Sequence, residues 1–315
     1  MGWYVLRRAL RLLPVLVIVT LATTFMLDLV PGDPALVLAG EDAPPEVIDA
    51  VNAQYGFNDS PLERYLSWMG SALTGDLGSS YRTKQPVVQE ILERIPVTLE
   101  IALLAGVLAL LIAIPTALYC ASHVGSRVDR LVGVGTSAVI SVPVFLLALL
   151  LVYVLAVRLH VFPVTGWTRL TDDPGRNLRS AFLPVLTLAL GEAVIQTRVL
   201  RADAIQTLQD DYILMARAKG MPKWHVLLRH AFRPSSFSLL TLASLSLGRL
   251  IGGTIVVETV FALPGIGRLA VTAITGKDLI TMQGIVAFVA VSYIVINVVV
   301  DLLYAALDPR IRVRS

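Results

Sequence analysis

The sequence predicts an all-α polytopic membrane protein. Six transmembrane helices place both termini in the cytoplasm, and a helical extracytoplasmic segment separates the first two spans. Three observations carry this reading. The 315 residues are 56% hydrophobic and only 16% charged, with a mean hydropathy of +0.74, whereas a soluble domain carries about a quarter charged residues. Six apolar stretches reach the roughly 20 residues needed to cross hydrocarbon. Lys and Arg gather on one set of connecting segments, which marks the cytoplasmic side.

The elements follow in chain order. Residues 1–30 hold the first span, 9–30. Arg7, Arg8 and Arg11 lead into it as they would into a signal peptide. Its apolar core is too long for one and no small-x-small cleavage site follows, so it is read as an uncleaved helix. Residues 31–97 carry four basic residues, Arg64, Arg82, Lys84 and Arg94, against ten acids, and belong outside. Pro44-Pro45 opens a helix that ends near Gly56. Ser60-Pro61-Leu62-Glu63 is a capping box with proline at the first helical position. Leu62, Tyr65, Leu66 and Met69 then repeat at helical spacing, and Gly75 is the stop. Pro86 opens a further helix towards Ile95. The segment is a helical cap; its plain alternative is a lid that only steadies helix ends.

Residues 98–315 form the core, with spans at 98–120, 131–157, 181–200, 236–261 and 283–307. Pro115, Pro143 and Pro184 should kink the second, third and fourth. The fourth is the weakest, because Glu192 and Arg198 interrupt it. Arg127 and Arg130, the seven Lys and Arg from Arg198 to Arg233, and Arg310, Arg312 and Arg314 fall on the N-terminal side of the membrane. One outer loop, 158–180, runs against the pattern with four arginines; the denser clusters opposite outweigh it.

The most unusual stretch is 203–234, a basic segment in an apolar chain. Leu208, Tyr212, Met215 and Ala216 share one helical face. Lys219 sits in the last turn, where a cation favours the carbonyl end of the dipole. Gly220 is the left-handed residue that closes the helix, and Pro222 suits the first turn of the next. Trp224, Leu227, Leu228 and Ala231 form a second stripe. Two short amphipathic helices meet at a sharp corner, and their apolar stripes must be buried against the bundle, the lipid headgroups or another protein.

Ionisable residues within spans face a bundle interior or an aqueous path. Glu192, Arg249 and Glu258 are the candidates. Arg249 and Glu258 lie about 13.5 Å apart along one helix, too far to pair. Glu192, Arg249 or both face a path or a partner chain; the alternative is an internal ion pair that only sets helix packing. Glu258 is expected near the outer interface, snorkelling or capping. Gly248 and Gly252 form a Gly-x-x-x-Gly that permits close helix approach, to a partner chain or within the bundle.

Some chemistry is missing. No Gly-x-x-x-x-Gly-Lys-[Ser/Thr] occurs, so any phosphate cradle is on another chain. His123, His160, His225 and His230 show no metal-ligand spacing, and no nucleophile motif is present. The single Cys120 excludes an intrachain disulfide and reads as a small apolar filler. The net charge of +3 gathers on no soluble face, which argues against nucleic acid as a partner.

Asp211-Tyr212 followed by Ala216-Arg217-Ala218-Lys219-Gly220 resembles the EAA loop of ABC-importer permeases in its peptide-importer form. The Glu-Ala-Ala triplet reads Leu214-Met215-Ala216, so no role of that acid carries over, and the loop's tail reads His230-Ala231-Phe232-Arg233-Pro234. Pro31-Gly32-Asp33-Pro34, Arg64-Tyr65 with Gly75-Asp76-Leu77-Gly78-Ser79-Ser80, and Phe162-Pro163 with Gly166 are similar to segments of dipeptide and oligopeptide permeases. So are Glu258-Thr259-Val260-Phe261-Ala262-Leu263-Pro264-Gly265-Ile266-Gly267 and Asp301-Leu302-Leu303-Tyr304 with Leu307-Asp308-Pro309-Arg310-Ile311-Arg312.

The resemblance implies the B-type permease subunit of a dipeptide or oligopeptide ABC importer in the cytoplasmic membrane of a bacterium, a subunit without catalytic chemistry. It implies a second homologous permease, two ATP-binding subunits that carry the ATP and Mg this chain does not bind, an extracytoplasmic substrate-binding protein, and the lipid bilayer as surroundings. In that family the loop supplies the coupling helix, assigning ATPase coupling to Asp211, Tyr212, Ala216, Arg217, Ala218, Lys219 and Gly220, with Pro222 and Trp224 beyond the corner. Related permeases move nickel, glutathione or other small solutes. A rival from another class is a self-sufficient secondary transporter, which needs inverted repeats or midplane carboxylates; Glu192 is the one such carboxylate.

Overall fold

A computed structural model of the chain describes residues 14–25, 34–40 and 43–307. Arg7, Arg8 and Arg11, the Pro31-Gly32-Asp33 motif and the basic tail from Asp308 lie outside the described residues. The helices are α1 (Pro14–Phe25), α2 (Pro34–Ala39), α3 (Pro45–Tyr55), α4 (Pro61–Leu73), α5 (Val87–Ser122), α6 (Arg127–Ser141), α7 (Val144–Leu151), α8 (Pro174–Thr207), α9 (Asp211–Ala218), α10 (Lys223–His225), α11 (Phe232–Val260), α12 (Ile266–Thr275) and α13 (Leu279–Leu307). Two π-helical turns, Val152–Arg158 and Val226–Ala231, continue α7 and α10. Among the described residues no strand forms beyond one isolated bridge, Ser79 with Pro86.

Three helices are long and apolar enough to cross a membrane singly: α5, α8 and the Leu279–Val299 part of α13. Two bent pairs reach that length together, Arg127–Ser141 with Val144–Arg158 at 109° and Lys223–Leu250 with Thr254–Val260 at 53°. Of the first expected span, the shorter apolar helix α1 is described. The expected kink at Pro143 is a full break. Proline disfavours a helical residue before it, and Val142 is extended (φ −92°, ψ 123°) while Pro143 caps α7. Pro184, by contrast, stays inside the continuous α8, the helix that the sequence ranked weakest.

The outer segment follows its caps. α3 starts at Pro45 and closes on Gly56. At α4, Glu63 N–H donates to Ser60 Oγ, and Ser60 N–H donates to Glu63 Oε2 at 3.0 Å, so the box is reciprocal. The helix after Pro86 does not stop at Ile95. It continues through Pro96 as α5.

The chain divides into two compact units, Met1–Pro96 with Pro264–Ser315, and Val97–Leu263. In the second unit, α5 presents buried Ala102, Ala105, Ala109, Ala113, Ala117 and Ala121 at intervals of three or four. Lipid tails give helices no hydrophobic reason to associate, so close packing through small residues has to hold them. Buried Leu183, Ala189, Ala193, Leu200 and Ala204 of α8 and Leu239, Leu250 and Val257 of α11 complete this core.

In the first unit, the Gly75–Ser80 loop is pinned to the start of α13. Ser80 Oγ donates to Asp278 Oδ2, and Thr281 N–H donates to Asp278 Oδ1. Gly78 is left-handed (φ +87°), and a Cβ there would stand 2.8 Å from Ile280 Cγ2, so the position demands glycine both for its backbone and for its space. Burial and the Asp278 charge push the Tyr81 phenol well above its usual range.

The capping box makes a pH-dependent prediction. The hydrogen bonds from the Ser60 side chain and backbone hold the Glu63 carboxyl below its ordinary value of 4.5. The box is therefore fully formed above that value and is lost as the pH falls through the lower value held in the folded chain. The protection of the first-turn amides of α4, relative to their intrinsic exchange, should drop over that fall in the native chain and show no such step in Glu63→Gln.

Candidate functional site: the elbow between α8 and α11

The corner expected at Gly220 closes as a Schellman motif. Met221 N–H donates to Ala216 O at 3.3 Å and Gly220 N–H to Arg217 O at 2.9 Å, the paired bonds that end a helix on a left-handed residue. Gly220 has φ +77°, and a Cβ there would meet nothing within 4 Å. The demand for glycine is therefore set by the backbone and not by space. The apolar contact that accompanies the motif is present, because Met221 packs on the cluster of Ile213, Ala216 and Val226. Pro222 is not in the first turn of the next helix. It is the extended residue before it (φ −63°, ψ 144°), and its carbonyl accepts from His225 and Val226.

The faces differ from those expected. In α9 the buried residues are Ile213 and Ala216, while Asp211, Tyr212, Leu214, Met215, Arg217, Ala218 and Lys219 are exposed. Beyond the corner Val226 and Ala231 are buried, and Trp224 and Leu228 are exposed. Of the expected second stripe Ala231 is buried and Leu227 packs on the core, while the π-helical turn, with its bonds from i to i+5, adds Val226 to the covered face. The outcome is an exposed apolar surface of Tyr212, Leu214, Met215, Trp224 and Leu228, with Met215 at 61% and Trp224 at 65% exposure. Arg217, Lys219, Lys223 and Arg229 are also exposed on these turns.

The elbow is fastened to the bundle. Leu208 packs both on the elbow's cluster and on Leu118, Ala121 and Ala204, which close the ends of α5 and α8. Thr207 Oγ1 and Ser235 Oγ lie 3.1 Å apart across the base. Tyr212 donates its hydroxyl to His230 O at 3.2 Å, tying α9 to the π-helical turn. About two turns earlier in α8, Arg201 grips Asp129 through two bonds of 2.7 and 2.8 Å, and Asp129 also accepts from Gly125 N–H. Such forked pairs fix orientation as well as distance. Sequence reasoning missed Asp129 and Arg201. Ser126-x-x-Asp129 is a helix-start signature that could have drawn attention to the acid; Ser126 Oγ indeed accepts from Asp129 N–H.

Within the spans, Glu192 and Arg249 form an ion pair at 3.3 Å, bridged by Ser246, which donates to Glu192 and accepts from Arg249 at 2.8 Å. The pair is asymmetric: the Arg249 side chain is half exposed and that of Glu192 largely covered. Glu258 neither snorkels nor opens to solvent. It is fully buried, and Thr98 donates to its Oε1 at 2.7 Å. Gly248 is half-buried in α11, whereas the surroundings of Gly252 lie outside the described residues. Among the described residues no group of three His, Cys, Asp or Glu side chains is placed to hold a metal ion.

Comparison with known proteins meets this geometry over the full chain. The family model "Binding-protein-dependent transport system inner membrane component" matches residues 113–313. The N-terminal model of the membrane component of such systems matches residues 1–102. A protein of Brucella abortus (strain 2308), provisionally named as a peptide transport system permease, is 38% identical over 310 residues, 98% of each chain. A similarly named peptide ABC transporter permease of Sinorhizobium fredii is 32% identical over 99% of this chain and 100% of its own. The glutathione transport system permease protein GsiC of Escherichia coli (strain K12) is 34% identical over 98% of each. The chain belongs to the family of inner membrane components of binding-protein-dependent transport systems, multi-pass proteins of the bacterial inner membrane.

Proposed function

We propose that the chain is one of two permease subunits of an ATP-driven importer of dipeptides or oligopeptides. Six spans put both termini in the cytoplasm, a second homologous permease completes the path, and two ATP-binding subunits below hold the ATP and Mg. A substrate-binding protein delivers peptide to the outer segment 31–97. The chain itself does no covalent chemistry and couples a rigid-body motion to alternating access. A single observation carries this reading: a rigid corner with an uncovered apolar surface, fastened through Leu208 to the ends of α5 and α8. Apolar side chains grouped in this way, with basic residues at their rim, mark a docking surface. The ATP-binding subunit is the partner that fits it. Names of the Brucella and Sinorhizobium relatives favour peptide as cargo. The equally long match to the glutathione permease makes a small peptide-like solute the second reading, ahead of nickel.

Gly220→Val tests the coupling. A β-branched side chain pays about 1–2 kcal/mol to enter the left-handed region, so the corner should open while the bundle stays folded. In the assembled importer the substrate-stimulated ATPase activity should fall steeply with basal assembly intact; unaltered stimulation would refute the lever.

Glu192 and Arg249 are proposed to face the translocation path. Half-exposed Arg249 supports this over a purely internal pair, and Gly248 with Gly252 is proposed to bring α11 close to a neighbouring helix. Arg249→Ala should lower transport at unchanged complex yield. Unchanged transport with lowered yield would reduce the pair to helix packing.

A further inference from the structure

The loop ends of α6 and α8 enclose a pocket that the coupling mechanism does not use. It has a volume of about 290 Å³ and is lined by Asp129, Val132, Gly133, Thr136, Thr197, Arg198 and Arg201. Its two guanidinium groups differ in kind. Arg201 is neutralised by the forked pair with Asp129. Arg198 is held only by neutral oxygens, Thr136 Oγ1 at 3.3 Å and Ser137 Oγ at 2.9 Å, and among the described residues it meets no carboxylate. The hydroxyls fix the guanidinium without spending its charge. Exposed Arg127 and Arg130 stand on the first turn of α6, so these helix ends carry four basic side chains against Asp129 and Asp203.

The surroundings say what kind of anion fits. Val132 lines the pocket itself, and one turn beyond Thr136 on the same face of α6 Ile140 is half exposed. A charged pocket with apolar side chains beside it matches a phosphate that carries acyl chains. We infer that this pocket binds the phosphodiester headgroup of an anionic phospholipid, with Arg198 as its principal contact and the chains lying along α6. Basic pockets between helices on the cytoplasmic side take such headgroups. Naming the cytoplasmic leaflet rests on the orientation proposed above; the binding itself does not.

Native mass spectrometry of the assembled complex, equilibrated in nanodiscs of equal phosphatidylglycerol and phosphatidylcholine, tests this. The native chain should retain phosphatidylglycerol preferentially, and Arg198→Gln should cut that retention about fivefold, the worth of one basic residue at an anionic surface. Arg198→Lys should recover part of it. Gly133→Leu offers a second route, because a Cβ at Gly133 meets nothing within 4 Å and a leucine there fills the pocket without altering charge; it too should displace the lipid. Equal retention of both lipids, or retention indifferent to Arg198→Gln and Gly133→Leu, overturns the proposal. Displacement of the lipid by millimolar inorganic phosphate overturns the lipid assignment in favour of a soluble anion. Since the readout is lipid retention, loss of coupling through Gly220 leaves it unmoved, and the two proposals fail separately.

Discussion

Two hydrogen bonds at the end of α9, Met221 N–H to Ala216 and Gly220 N–H to Arg217, set the angle of the elbow, and much of the structure serves to keep that angle connected to the membrane bundle. The bonds cost no strain because residue 220 is glycine. Met221 turns back onto Ile213, Ala216 and Val226, and Leu208 joins this small core to the larger one at the ends of α5 and α8. A push on the exposed side of the elbow therefore meets packed side chains the whole way. Close-packed interiors transmit displacement with little compression.

The bundle behind the elbow is closely packed. The alanines of α5 let neighbouring backbones approach closely, with Leu104, Leu108 and Ile112 packed against the same core. The forked Arg201–Asp129 pair fixes the α5–α6 turn to α8 about two turns before the elbow. At Pro143 α6 turns by 109° into α7.

Local rules with one physical cause were legible in the sequence. The Ser60–Glu63 box, the Pro45 start of α3 and the Gly220 stop each depend on a few adjacent residues, and each forms as expected. The family was legible from motif order across the chain. What resisted was set by longer-range competition. Stripes on the elbow were drawn at α-helical period; in the second, Ala231 is buried but Trp224 is exposed and Val226, at the start of a π-helical turn, is buried. Pro143 and Pro184 look alike in sequence, yet one ends a helix and the other does not. Glu258 gave no sign of its partner because Thr98 lies 160 residues away. The same distance problem hid Asp278, whose role depends on Ser80 of the outer loop.

The account stands on the elbow being gripped by a nucleotide-driven subunit. A photo-crosslinking amino acid at exposed Met215, in the assembled complex within native membranes, tests this most directly. The predicted product joins this chain to an ATP-binding subunit, with a yield that changes when ATP is added. Products formed only with lipid, or within this chain, would contradict it.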